Sequence, residues 1–90
     1  KTANYTAVAN DAILASTTAG AWTLTLPASP NQFDRVGPVV DTDGTWQTNN
    51  LTIGRNGNNI MGLAENMTCS RRYGSFSLEY DDATNGWRIY

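Results

Sequence analysis

The sequence predicts an all-β fold, a small antiparallel β-sandwich or barrel-like domain with short strands and tight turns. Apolar and polar residues alternate in short runs, as they do in strands that bury one face. The runs recur about every 8 to 12 residues, which is typical of sandwiches and barrels. Asn-Gly and Asp-Gly pairs stand between several of the runs and accept the positive φ of tight hairpin turns.

The chain has 90 residues, of which 40% are apolar, and residues 1–90 are interpreted as one β domain. A domain of this size buries only about 60 to 65% of the surface of its unfolded chain, so a thin core is expected. Because the first residue is Lys1 and not methionine, we interpret the sequence as a piece of a longer protein.

Three runs show the clearest strand pattern. AWTLTLP places Trp22, Leu24 and Leu26 on one face and ends at Pro27, which cannot donate a ladder hydrogen bond. SFSLEYD and GWRIY alternate in the same way, and their predicted buried residues are Phe76, Leu78, Tyr80, Trp87 and Ile89.

Five shorter runs are also predicted as strands: ANYTAV, DAILAST, VGPVVD, NLTIG and NMTCS. Gly37-Pro38 interrupts VGPVVD, which predicts an edge strand or a bulged one. Asn10 precedes Asp11, and the family resemblance described below implies a turn here, which asparagine can form because it accepts the left-handed conformation. A single helical turn is predicted at Pro30–Asp34.

Composition argues against several classes of function. The formal net charge is −2 and the basic residues are sparse, so nucleic acid is not an expected partner. Without histidine, and with its one lysine at position 1, the chain has no Ser-His or Cys-His system, and we predict that it is not an enzyme and needs no cofactor. No apolar run approaches the roughly 20 residues that span a bilayer, and membrane insertion is not expected. Cys69, the one cysteine, is predicted to be a small buried hydrophobe.

The carboxylates cluster in two turn-like stretches, DTDG at Asp41–Gly44 and YDDATNG at Tyr80–Gly86. Both offer oxygens to a calcium ion, but neither completes the spaced loop with a distal glutamate. We therefore predict solvated turn formers, no catalytic carboxylates and no metal site. Exchange of Asp41 or Asp43 for asparagine is expected to leave stability unchanged.

Two groups of residues are candidates for contact with a ligand or another subunit. Sugar sites combine an aromatic platform with amides or charges, and these residues offer that combination: Trp46, Asn49, Asn50, Arg55 and Asn56 in one group, and Arg71, Arg72 and Tyr73 in the other. The alternative is that the amides build turns, because asparagine side chains satisfy backbone groups at the ends of strands.

The order of these motifs resembles a small β module of tail fibres, tailspikes and baseplate-attachment proteins of tailed bacteriophages. The resemblance extends from about Asn4 to Arg88. It is carried by these stretches: NYTAVANDAILASTTAGAWTLTLPASP, VVDTDGTWQTNNLTIGRNG, IMGLAEN and SLEYDDATNGWRIY. They are strand and turn signatures and contain no catalytic motif.

The resemblance implies a structural module of the virion tail, made in the bacterial host cytoplasm, that builds a homotrimeric fibre or acts as an adaptor attaching it to other tail proteins. The alternative is a domain for host attachment that binds a receptor or a surface glycan. A trimer suits a thin core, since three copies bury apolar surface that one copy exposes. The aromatic candidates for that burial, or for the core of one subunit, are Trp22, Phe33, Trp46, Phe76 and Trp87.

Overall fold

A computed structural model describes all 90 residues and shows eight β-strands and no helix. The chain therefore has no helical segment of the length and apolarity that crossing a bilayer requires. The strands are β1 (Tyr5–Thr6), β2 (Ile13–Ala15), β3 (Trp22–Thr25), β4 (Arg35–Asp41), β5 (Leu51–Gly54), β6 (Met67–Cys69), β7 (Ser75–Asp82) and β8 (Gly86–Ile89).

The strands form two four-stranded sheets that pack face to face. The first sheet has the order β1-β3-β5-β6 and the second has the order β2-β4-β7-β8. From β1 to β5 the chain changes sheet at every connection, and the neighbours formed in this way are parallel: β1 with β3, β3 with β5, and β2 with β4. The remaining pairs, β5 with β6, β4 with β7 and β7 with β8, are antiparallel.

The all-β, sandwich-like prediction is confirmed, but the prediction of antiparallel sheets is wrong because both sheets are mixed. Parallel neighbours need a crossover connection, and here a strand of the opposite sheet supplies it. The pair Asn85-Gly86 does join two antiparallel neighbours, β7 and β8. Asp43-Gly44 instead lies between β4 and β5, which belong to different sheets.

The core lies between the two sheets and contains the alternating residues of the predicted strands. Trp22, Leu24 and Leu26 are buried as predicted, and Trp46 and Trp87 are fully buried as well. The same core takes in other predicted positions, Leu78 and Tyr80, while Phe76 and Ile89 are half-buried against it. Of the aromatic candidates, only Phe33 is largely exposed, at 70%.

Backbone geometry at the irregular positions partly follows the sequence predictions. Asn10 has φ of 72°, so its left-handed conformation is confirmed. β4 is bulged between Val36 and Val39 as one alternative predicted, but it is an inner strand between β2 and β7 and not an edge. Gly37 is required at the bulge because a Cβ there would lie 2.7 Å from the Ser77 Cα atom.

The helical turn predicted at residues 30–34 is wrong. The segment is a single turn in which the Asp34 N–H donates to the Asn31 carbonyl at 3.0 Å. Phe33 has φ of 71° there, and its N–H donates to the Tyr80 carbonyl at 2.8 Å. A residue with a bulky side chain rarely adopts this conformation, and the hydrogen bond to Tyr80 ties the main chain of the turn to β7.

Candidate functional site

A buried carboxylate joins the loop after β4 to the loop before β7. Asp41 is 1% exposed, and its Oδ1 accepts a hydrogen bond from the Thr45 N–H at 3.1 Å. Its Oδ2 accepts from the Trp46 N–H at 3.2 Å and from the Tyr73 N–H at 2.9 Å. The prediction of a solvated turn former at Asp41 is therefore wrong, because three main-chain N–H groups take the place of water.

Asp41 brings Trp46 of the first candidate group and Tyr73 of the second to the same end of the fold, whereas Arg55 and Asn56 lie beyond the other end of β5. Its three hydrogen bonds tie the Trp46 loop to the Tyr73 loop, although about 30 positions separate them in sequence. The sequence signal for this residue is an aspartate directly before a Gly-containing turn, but that pattern does not distinguish a buried acceptor from a solvated one.

Most side chains of the first candidate group form hydrogen bonds with main-chain carbonyls of the same protein. Trp46 is 1% exposed and its indole N–H donates to the Ala15 carbonyl at 3.2 Å, so its ring offers no free platform to a ligand. The Asn49 amide donates to the Thr17 carbonyl at 2.9 Å, and the Asn56 amide to the Leu26 carbonyl at 3.0 Å. Arg55 reaches the carbonyl of Asn58 at 3.2 Å, while Asn50 is half-buried at the start of β5.

The second candidate group lies at the surface. Tyr73 is 61% exposed and has φ of 55°, and the Arg72 guanidinium lies 5.3 Å from the centre of its ring. The ring packs over Gly44, where a Cβ would lie 2.5 Å from the Tyr73 Cζ atom. Arg71 is exposed beside them. These three residues form the exposed part of the predicted site.

The two sheets part between β6 and β8 and leave a half-open groove, which we name the β6–β8 groove. Its lining includes Trp46, Met67, Cys69, Phe76 and Ile89, and its volume is 290 Å³. The half-buried ring of Phe76 packs edge-on against the buried ring of Trp46, at a distance of 6.1 Å between their centres, so Phe76 is the aromatic side chain that the groove exposes.

A second depression of 290 Å³ shares Met67 and Ile89 with the β6–β8 groove and extends its apolar surface. Met61 and Leu63 line this depression and are 55% and 57% exposed. Single exposed apolar residues are ordinary, and polar residues such as Ser70 and Glu65 also line the two depressions, so together they form a partly apolar surface. Alternation did not reveal this surface, because residues 60–63 lie outside the regular strands.

The other polar clusters connect strands and loops. Asp43 accepts from the Ser16 and Thr18 hydroxyls, and Asp82 accepts from the N–H groups of Thr84 and Asn85. Hydrogen bonds from the Asn85 N–H and its side chain help to lower the pKa of Asp82. No three carboxylate or cysteine side chains come together as a metal site would require.

Asp11 forms a small polar contact near the first sheet. It accepts from the Tyr5 hydroxyl at 2.7 Å and from the Val8 N–H at 3.0 Å. The hydrogen bond from Val8, followed by the one from Tyr5, lowers the pKa of Asp11 below its ordinary value. The carboxylate therefore fixes the turn that leads from β1 to β2.

Cys69 lies in the groove wall at the end of β6, is 8% exposed and has no disulfide partner. Burial raises the pKa of its thiol to about 12. The prediction of a small buried hydrophobe is confirmed, because Cys69 is buried as part of the apolar core.

Comparison of the chain with protein-family models and with curated proteins gives no match. The geometry and the residue chemistry therefore carry the functional proposal, together with the motif resemblance.

Proposed function

We propose that this chain is a structural module of a bacteriophage tail fibre or tailspike, which builds a homotrimer in the virion tail or attaches the fibre to other tail proteins. The observation that supports this function is the β6–β8 groove, a partly apolar surface left half-open by one small subunit. The proposal that the protein belongs to a virion tail rests on the resemblance of the strand and turn motifs. The proposal that it forms a trimer rests on the groove.

A threefold assembly fits the arrangement of the exposed apolar residues. In a ring of three, each copy presents one patch to a neighbour and a different patch to the other, so the two contact surfaces need not be alike. Met61 and Leu63 border the groove, while Phe33 protrudes from the turn before β4. Burial of such side chains supplies about 1.5 to 3 kcal/mol each, which a thin core would gain from association.

Loops fixed by hydrogen bonds suit a module whose work is mechanical. Asparagine amides cross from one loop to the main chain of another: Asn49 to Thr17, Asn56 to Leu26, Asn58 to Ala28 and Asn59 to Thr84. Each such bond adds about 0.5 to 1.5 kcal/mol and holds a connection that no helix supports. A unit with fixed loops transmits force and orientation along a fibre without changing shape.

The proposal is tested by the mass of the protein in solution, measured by light scattering over a wide concentration range. We expect a trimer, and we expect Leu63→Glu to convert it to a monomer because the charge would be buried at the groove. Leu14→Glu is the matched control, since Leu14 is 62% exposed on β2, away from the groove. A wild-type protein that stays monomeric at the highest concentration would contradict assembly through this surface.

The second candidate function is binding of a host receptor or glycan by Arg71, Arg72 and Tyr73. The observation that favours it is the exposed ring of Tyr73. The main chain of Tyr73 has an uncommon positive φ, and its N–H donates a hydrogen bond to the Asp41 carboxylate. Glycan-array binding that Tyr73→Ala abolishes and Tyr73→Phe retains would support this function. Equal binding by wild type and Tyr73→Ala would exclude the ring as the platform.

A further inference from the structure

The main chain of Lys1 is already paired with the outer edge of β2. The amino-terminal NH3⁺ group of Lys1 donates to the Leu14 carbonyl at 2.6 Å, and the Ser16 N–H donates to the Lys1 carbonyl at 2.9 Å. Lys1 thus bonds to Leu14 and Ser16, the two residues that flank Ala15. This is the hydrogen-bond pattern of a parallel bridge between Lys1 and Ala15. Lys1 thus occupies a strand position in the second sheet, outside β2.

This position continues the winding of the fold. After Lys1 the chain enters the first sheet as β1, returns to the second as β2, and repeats the change through β3, β4 and β5. Within each sheet the successive strands of this winding are parallel. Lys1 therefore stands where the strand before β1 would lie if the same alternation extended by one step.

The edge of β2 has a further donor aimed at that position. Within a strand, the N–H and the C=O of one residue point to the same side. Because the Leu14 carbonyl accepts from Lys1, the Leu14 N–H also points away from β4. A strand paired through Lys1 would place its second residue before Lys1 opposite Ile13, with its carbonyl in line with the Leu14 N–H.

The other edge strand of the second sheet, β8, is covered by a neighbouring segment of the chain. The Met61 N–H donates to the Trp87 carbonyl at 2.8 Å, and the Trp87 N–H donates to the Asn59 carbonyl at 2.8 Å, so residues 59–61 pair with β8. An unpaired strand edge is a template for another strand, and proteins usually cover it. On β2, only the single residue Lys1 performs this covering.

We propose that the outer edge of β2 is an acceptor for one further parallel strand, whose main chain leads directly into Lys1. The register is fixed by the pairing of Lys1 with Ala15, and the direction by the parallel bridge. The strand adds a step to the winding on the side away from the β6–β8 groove. This inference is independent of the proposed assembly, because it concerns a different edge of the second sheet.

The test adds four residues before Lys1 of the full chain. A Val-Thr-Val-Thr extension should raise Tm by about 4 °C or more, and should slow hydrogen exchange of the Leu14 amide at least tenfold, because new ladder bonds protect it. A Gly-Ser-Gly-Ser extension of the same length is the control and should change neither. An unchanged Tm together with an unprotected Leu14 amide would overturn the proposal.

A second pair of variants separates edge pairing from other effects of the extension. Leu14→Pro removes the N–H that points away from β4 and should abolish the Tm gain, when each extended protein is compared with its own unextended form. Leu14→Ala keeps that N–H and should preserve the gain. The gain should also be equal at low and high protein concentration; dependence on concentration would mean that another copy supplies the strand, which contradicts the proposal.

Discussion

The buried carboxylate of Asp41 gives the sharpest stability prediction. In Asp41→Asn, one acceptor oxygen is replaced by an NH2 group, which donates and cannot accept. If the amide replaces Oδ2, the N–H groups of Trp46 and Tyr73, now 3.2 and 2.9 Å from that atom, lose their partner. If the amide turns over, the Thr45 N–H loses its partner instead.

The magnitude follows from this count. A buried donor left without a partner costs about 1 to 3 kcal/mol, so the two orientations of the amide give losses of about 1 to 3 and about 2 to 6 kcal/mol. The sequence predicted unchanged stability for this exchange, but the buried hydrogen bonds overturn that prediction: we expect a loss of about 2 kcal/mol in the free energy of unfolding, out of a total of about 5 to 15 kcal/mol for a small domain. In a domain of this size that loss lowers Tm by about 8 to 16 °C.

Thermal and urea unfolding, followed by circular dichroism, measure the effect. Asp43→Asn is the matched control, because Asp43 is exposed, accepts only from the Ser16 and Thr18 hydroxyls, and should change stability by no more than about 0.5 kcal/mol. If Asp41→Asn unfolds within about 0.5 kcal/mol of the wild type, the three N–H bonds do not stabilise the fold and the reasoning is wrong.

Three further predictions concern the core, the thiol and the response to acid. Trp22→Ala should cost about 3 to 5 kcal/mol in urea unfolding and Phe76→Ala less, because Phe76 is only half-buried; equal costs would contradict the packing. Cys69, with a thiol pKa of about 12, should react with a disulfide reagent at pH 8 roughly a thousandfold more slowly than a free cysteine, and rapid labelling of the native protein would refute its burial. The pKa of Asp11 is lowered on folding, so the stability that its carboxylate contributes is present above the unfolded pKa near 3.9 and is lost as the pH falls. Asp11→Asn should therefore show a smaller drop in Tm below about pH 4 than the wild type does. An identical drop in the variant would disprove this linkage.

The candidate site was only partly predictable from the sequence. The interpretation of asparagines as turn builders is confirmed for Asn49 and Asn56, whose amides donate to main-chain carbonyls. Trp46 stood in a Gly- and Thr-rich stretch without alternation, so no local pattern indicated that it would be buried. Its burial depends on Ala15 and Phe76, which are about 30 positions away in either direction.

The sequence by itself determined where the strands lie and which of their residues face the core, because the period-two alternation that buries one face of a strand is a local property. It also determined the turns at Asn10 and Gly86, where only a few residue types accept a positive φ. Alternation is the same in parallel and antiparallel strands, so the direction of pairing was decided only by the tertiary structure. The tertiary structure alone also decided the burial of Asp41 and the opening of the β6–β8 groove, since both depend on which distant segments the two sheets bring into contact.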